Sequence, residues 1–191
     1  VINFMIALRI LPDNYRFNWR CRPRLWNCQK RLPFKDKTID FIYTSHFLEH
    51  LKRYQVLDLL KDCRRVLIEG GVLRVSLPDV RLLAERFVSS DNIFFNDLVK
   101  NDHPGFTNLT DLFVMHFYGH DLWSRPNFWQ RLQYRFIRGH LWMYDFDSFR
   151  FMLQDAGFTK IKRCSAGQGK VPDIDFLDIH RDNSFYVEAS A

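Results

Sequence analysis

The stretch TIDFIYTSHFLEHLKRYQVLDLLKDCRRVLIEGGVLRVSLPD (38–79) decides the fold. Thr38 to Thr44 is rich in β-branched and aromatic residues and reads as a strand. In 55–67, Val56, Leu59, Leu60, Cys63, Val66 and Leu67 recur at helical spacing and form one buried stripe. Gly70 and Gly71 are expected to end that helix, because glycine takes the left-handed conformation a helix exit needs. VLRVSLP (72–78) follows as a second strand that stops at Pro78. Strand, helix, tight turn, strand is a βαβ unit, and such a unit places both strands parallel in one sheet.

The rest of the chain extends this pattern. Val1 to Leu8 is apolar apart from Asn3 and suits a strand buried on both faces. Pro12-Asp13-Asn14 reads as a turn, and 15–31 has room for one or two short strands. A second helix is expected from Asp79 to Phe87. Asp145 is placed as the N-cap of a helix carrying Phe146, Phe149, Leu153 and Ala156 on one face and ended by Gly157. Residues 159–164 and 184–189 read as strands, joined by a long connection over 165–182. Alternating strands and helices imply an α/β sandwich of the doubly wound kind, in which ligands bind outside the carboxyl ends of the parallel strands.

The composition sets bounds. The 191 residues are 47% hydrophobic and 16% aromatic, which excludes disorder and suits a single sizeable domain. A net charge of +6 tolerates an anionic partner without requiring one. Cys21, Cys28, Cys63 and Cys164 form no C-x-x-C pair, so reduced thiols and a cytoplasmic setting are expected. The longest unbroken apolar run near the start, Phe4 to Leu8, is too short for a membrane span.

The quoted motifs resemble those of class I S-adenosylmethionine-dependent methyltransferases, in particular small bacterial proteins of the methyltransferase type 11 kind. LPFKDKTIDFIYTSHFLEHL is similar to their strand-four motif, CRRVLIEGGVLRVSLPD to the following R-V-L-K-P-G-G motif and strand five, and GHLWMYDFDSFRFMLQDAGF with SFYVEA to the C-terminal part of one subgroup. The resemblance spans nearly the whole chain. It implies a Rossmann-like sandwich, mostly parallel with an antiparallel C-terminal strand, in a single domain over 1–191 with an aromatic-rich cover at about 89–140.

The resemblance also implies S-adenosylmethionine as cofactor, with Met5, Ala7, Asn18, Asn27, Thr44 and Ser45 around it. Met5 and Ala7 stand where the family's loop glycines belong. Asn18 stands where an acidic residue would bind the ribose hydroxyls, and Asn27 where an Asp would contact adenine. Asparagine keeps an acceptor but loses the charge assistance, so the cofactor is expected to bind weakly or not at all. Two readings follow: a methyltransferase acting on a small-molecule or glycan acceptor, or a non-catalytic relative serving as a binding or regulatory subunit.

Ser45 and His46 are read either as a wall of the crevice, with His46 as a general base, or as the cap of a short helix carrying Leu48 to Leu51. Glu49 and His50 are read as structural, with His50 holding backbone beneath the strand ends. H-F-L-E-H lacks the order of the H-E-x-x-H zinc motif, and no metal is expected. Asp79 either faces the acceptor or caps the next helix. His140, Tyr144 and Asp145 read as a turn and a cap. The aromatic segment 94–144 would meet a small-molecule acceptor or a protein partner, or else simply be core. The Arg-rich stretch with Arg16, Arg20, Arg22, Arg24, Lys30 and Arg31 lacks a nucleic-acid-binding module and reads as a solvated basic face.

Overall fold

A computed structural model describes residues 26–99, 108–118 and 139–191. The expected strand at 1–8, the turn at 12–14 and Met5, Ala7, Asn18 and Cys21 lie outside the described residues. Strand β1 (Ile39–Ser45) leads through a one-turn 3-10 helix (Leu48–His50) to helix α1 (Arg53–Val66), strand β2 (Leu67–Pro78) and helix α2 (Val80–Val88). Helices α3 (Asn92–Val99) and α4 (Leu109–Tyr118) follow. The described chain closes with α5 (Phe146–Asp155), β3 (Thr159–Cys164), the single turn α6 (Ile174–Leu177) and β4 (Ser184–Ser190).

The sheet order is β1-β2-β4-β3. β1 and β2 pair in parallel, with Tyr43 opposite Arg74 and Ser45 opposite Ser76. β4 is antiparallel to both β2 and β3. Among the described residues, three strands therefore run one way and β4 runs the other, as the sequence pattern implies. Every residue from Val72 to Pro78 is buried, as a central strand requires.

One boundary differs from expectation. Helix α1 ends at Val66, not at the glycines, and Leu67 is already extended (φ −68°, ψ 138°). Leu67 is fully buried and pairs with Ile39, while the next register pair is Phe41 with Val72. The intervening residues on β2 bulge outward. Gly70 turns there at φ +75°, a conformation that suits glycine. The Gly71 carbonyl then accepts from Ala191 N at 2.9 Å. The glycine pair thus shapes the entry to the strand, and burial of Val66 and Leu67 sets the end of the helix.

The two faces of the sheet differ. Leu73, Val75 and Leu77 of β2, with Phe185, Val187 and Ala189 of β4, meet Val56, Leu59, Leu60 and Cys63 of α1 and Phe149, Met152 and Leu153 of α5 in one apolar core. The opposite face carries Arg74, Ser76, Tyr186 and Glu188, and segment 165–182 covers it. A second, smaller cluster joins α2, α3 and α4 through Leu83, Phe95 and Leu112, with Phe87 and Phe113 stacked at 4.4 Å. The described rings Phe94, Phe95 and Phe113 therefore pack into core.

Both expected helix caps form. Asp79 Oδ1 accepts from Arg81 N (3.1 Å) and Leu82 N (3.3 Å), and Asp145 Oδ1 accepts from Ser148 N at 2.8 Å. Asp79 Oδ2 also pairs with Arg163 Nη2 at 2.8 Å. Gly157 follows α5 at φ +89°. Ser45 does not cap the short helix. Phe47 holds that position, without a side-chain cap.

Candidate functional site

The carboxyl ends of β1 and β2 carry a cluster of histidines around one buried carboxylate. Ser45 closes β1, and the chain turns sharply at His46, whose φ of 46° lies in the left-handed region that non-glycine residues rarely occupy. His46 N donates to Ser76 O at 3.0 Å, which ties the turn to the end of β2. Its ring stacks on His180 with centroids 3.8 Å apart. His46 Nε2 lies 2.7 Å from Ser184 Oγ, and Ser184 Oγ donates to Asn183 Oδ1 at 3.1 Å. With the serine proton committed to Asn183, Nε2–H donates and Nδ1 keeps the lone pair. Nδ1 stands 3.7 Å from Glu49 Oε1. Burial, and then the neighbouring His180, His140 and His50, push the His46 pKa down to about 3, so the ring is neutral at physiological pH.

Glu49 is fully buried, and neither carboxylate oxygen has a hydrogen-bond partner. Desolvation raises its pKa to about 7. Its backbone carbonyl accepts from Leu141 N (2.7 Å) and Trp142 N (3.2 Å). Glu49 thus links backbone beneath the strand ends. His50 Nε2 is 3.9 Å from Glu49 Oε1, and its ring lies 5.0 Å from that of His140. His140 Nδ1 is 2.7 Å from the carbonyl of His116, which can only accept, so Nδ1 carries the proton.

Of the residues read as cofactor-binding, Asn27, Thr44 and Ser45 are described. Asn27 is exposed, and its Oδ1 accepts from Gln29 N at 3.0 Å within a local turn. Thr44 and Cys28, the neighbour of Asn27, line an apolar cavity of about 450 Å³ between β1 and α1. Ser45 adjoins His46 at the strand end. Tyr144, read with His140 as a turn, is buried and bridges to Asp79, and its carbonyl accepts from Val80 N at 3.0 Å. Sequence reasoning missed His180 and Ser184 as neighbours of His46. They lie more than 130 residues away in the chain, and no local pattern marks them.

A model of the methyltransferase domain matches residues 5–163. The chain belongs to this methyltransferase family, and its Rossmann-like sheet, with one reversed strand, is the class I architecture. Among solved structures, a Pyrococcus horikoshii protein is similar at 16% identity and TM-score 0.46, over 86% of this chain and 57% of that one. A SAM-dependent methyltransferase from Archaeoglobus fulgidus is similar at 14% identity and TM-score 0.42, over 83% and 62% of the two chains. This chain thus spans less than two thirds of the length of either structure. No curated protein matches it. Among the described residues, no helix is long and apolar enough to cross a membrane.

Proposed function

We propose that this chain transfers a methyl group from S-adenosylmethionine to a small-molecule or glycan acceptor at the carboxyl ends of β1 and β2. The observation that carries the reading is the left-handed turn at His46, which sets a neutral imidazole at the end of a parallel strand in a methyltransferase domain. That is where an α/β sheet of this kind binds its ligands. The cofactor wall comprises Met5, Ala7, Asn18, Asn27, Thr44 and Ser45. Segment 94–144 borders the acceptor side.

The reaction is an in-line displacement at a sulfonium methyl, so the protein's work is mainly positioning. As the methyl group moves to it, an acceptor hydroxyl becomes strongly acidic. A weak base then suffices, and His46 is the residue proposed to take the proton. In the domain-wide reading, residues 1–191 form one unit with the aromatic cover at about 89–140.

Calorimetric titration with S-adenosylmethionine and S-adenosylhomocysteine tests the proposal. Asparagine at 18 and the side chains at 5 and 7 weaken the site, so Met5→Gly with Ala7→Gly and Asn18→Asp should tighten binding by roughly 100-fold. Failure of both the natural chain and this variant to bind would favour the second reading, a non-catalytic binding or regulatory subunit.

A further inference from the structure

We propose that Glu49, His50 and His140 form a binding site for a divalent transition-metal ion. One ligand atom from each residue lies within 4.8 Å of the other two. Glu49 supplies an independent observation: its carboxylate is fully buried and neither oxygen accepts a hydrogen bond. A carboxylate without a hydrogen bond in such a place is costly, and a bound cation is one of the few partners that removes the cost.

The surrounding backbone holds the three residues in place. Glu49 and His50 are adjacent on the single turn of 3-10 helix. His140 comes from a distant segment, which is fastened to the same turn where Leu141 N and Trp142 N both donate to Glu49 O. His140 N also donates to Tyr118 O at 3.1 Å. Donation from His140 Nδ1 to His116 O fixes the tautomer that leaves the lone pair on Nε2. A carbonyl on the far nitrogen is the usual outer support of a metal-binding histidine.

The donor set selects the ion. Two imidazoles and one carboxylate favour zinc, cobalt, iron(II) or manganese over calcium or magnesium, which take oxygen ligands. Metal–ligand bonds near 2.0–2.2 Å put neighbouring donors about 3.4 Å apart in a tetrahedral site, so the donors must close in by roughly an ångström. The His50 side chain is 31% exposed, whereas that of Glu49 is 1% exposed. The buried carboxylate anchors the inner side of the site, and the remaining coordination position faces outward. There a bound water or hydroxyl would become acidic.

The test uses the full chain stripped with chelator, with neither cofactor nor acceptor present. Metal binding is thus read separately from methyl transfer. Zinc is titrated by calorimetry and cobalt(II) by its visible absorption. The expected result is one ion per chain and cobalt bands of a low-coordinate nitrogen–oxygen site. His140→Ala and Glu49→Gln should each weaken binding by more than the roughly 10–100-fold that loss of an outer-shell partner costs. His180→Ala, which removes a nearby histidine outside the set, should bind as the unmodified chain does. Circular dichroism checks that each variant folds. If Glu49→Gln does not fold, His140→Ala decides alone, since its ring is partly exposed. Absence of binding by the unmodified chain, or equal affinity in His140→Ala, overturns the proposal.

Discussion

Leu73, Val75 and Leu77 leave β2 on one side of the sheet, and Arg74 and Ser76 leave it on the other. The first set enters the apolar core against α1 and α5. On the second side, Arg74 is fully buried and its five N–H groups meet five acceptors. Nε and Nη2 grip Asp178 at 3.2 and 2.5 Å, Nη1 reaches Glu188 at 3.2 Å, and the carbonyls of Ser165 and Gln168 take one bond each at 3.1 Å. The carboxylates are shared with the covering segment, since Gly167 N donates to Asp178 and Lys170 N to Glu188, both at 2.8 Å. An apolar face needs only volume and shape, and it tolerates swaps that conserve them. A buried guanidinium needs every donor matched, so it fixes the path of the segment that supplies the acceptors.

Single truncations on the two faces should differ accordingly. Arg74→Ala should cost the most, about 3–5 kcal/mol in urea unfolding, because it strands two buried carboxylates. Replacing the whole group, with Arg74→Met, Asp178→Leu and Glu188→Leu, should still leave the protein at least about 2 kcal/mol short. The N–H groups of Gly167 and Lys170 and the carbonyls of Ser165 and Gln168 would lose their partners. Full recovery would mean that the polar face is only filler, and the contrast between the faces would fall.

On the apolar face, Leu60→Ala should cost about 3 kcal/mol, and Leu60→Met much less. Gly169→Ala should cost about 2 kcal/mol, although it adds one carbon to a loop. A Cβ there would press on Glu188 Oε1 and come within 2.6 Å of Arg74 Nη1. A silent Gly169→Ala in the same urea experiment would show that the covering segment is loosely held.

The smallest effect lies outside both faces, in acid. Burial works against ionisation of Asp62, but Arg65 and the Leu32 N–H prevail and hold its pKa below the usual value. A carboxylate lowered in the folded state stabilises fully above its unfolded pKa, near 4, and that contribution is lost as pH falls through the lower folded value. Asp62→Asn should therefore cost less than about 1 kcal/mol at neutral pH, because the pair is near the surface. Its stability should also fall less steeply below about pH 4, as pH-dependent denaturation would show.

What the sequence revealed and what it hid follow from the range of the interactions. The βαβ unit, the caps at Asp79 and Asp145 and the stop at Pro78 depend on residues within a few positions of one another, and their pattern is visible in the chain. Gly70 and Gly71 misled because a glycine pair fits a helix exit and a strand bulge equally well. Only the pairing of Leu67 with Ile39 separates the two. Ser45 was open to a capping reading for the same reason. His46 stands out in the sequence, but its partners His180 and Ser184 are brought to it by the return of β4. Arg74, in the middle of a buried strand, carried no mark that a complete set of acceptors waited in 165–188.

The position of β4 also bears on how the chain is made. Residues 184–190 lie between β2 and β3, both of which precede them in sequence. Until those residues leave the ribosome, β2 and β3 each hold an open edge with nothing between them. Long-range pairings of this kind form late and slowly. A nascent chain paused before residue 184 therefore exposes Val72–Pro78 along one whole edge, a run suited to pairing with another copy of itself. Slow synthesis or early termination in this region should yield aggregate, whereas a completed chain folds by inserting its own strand into the waiting gap.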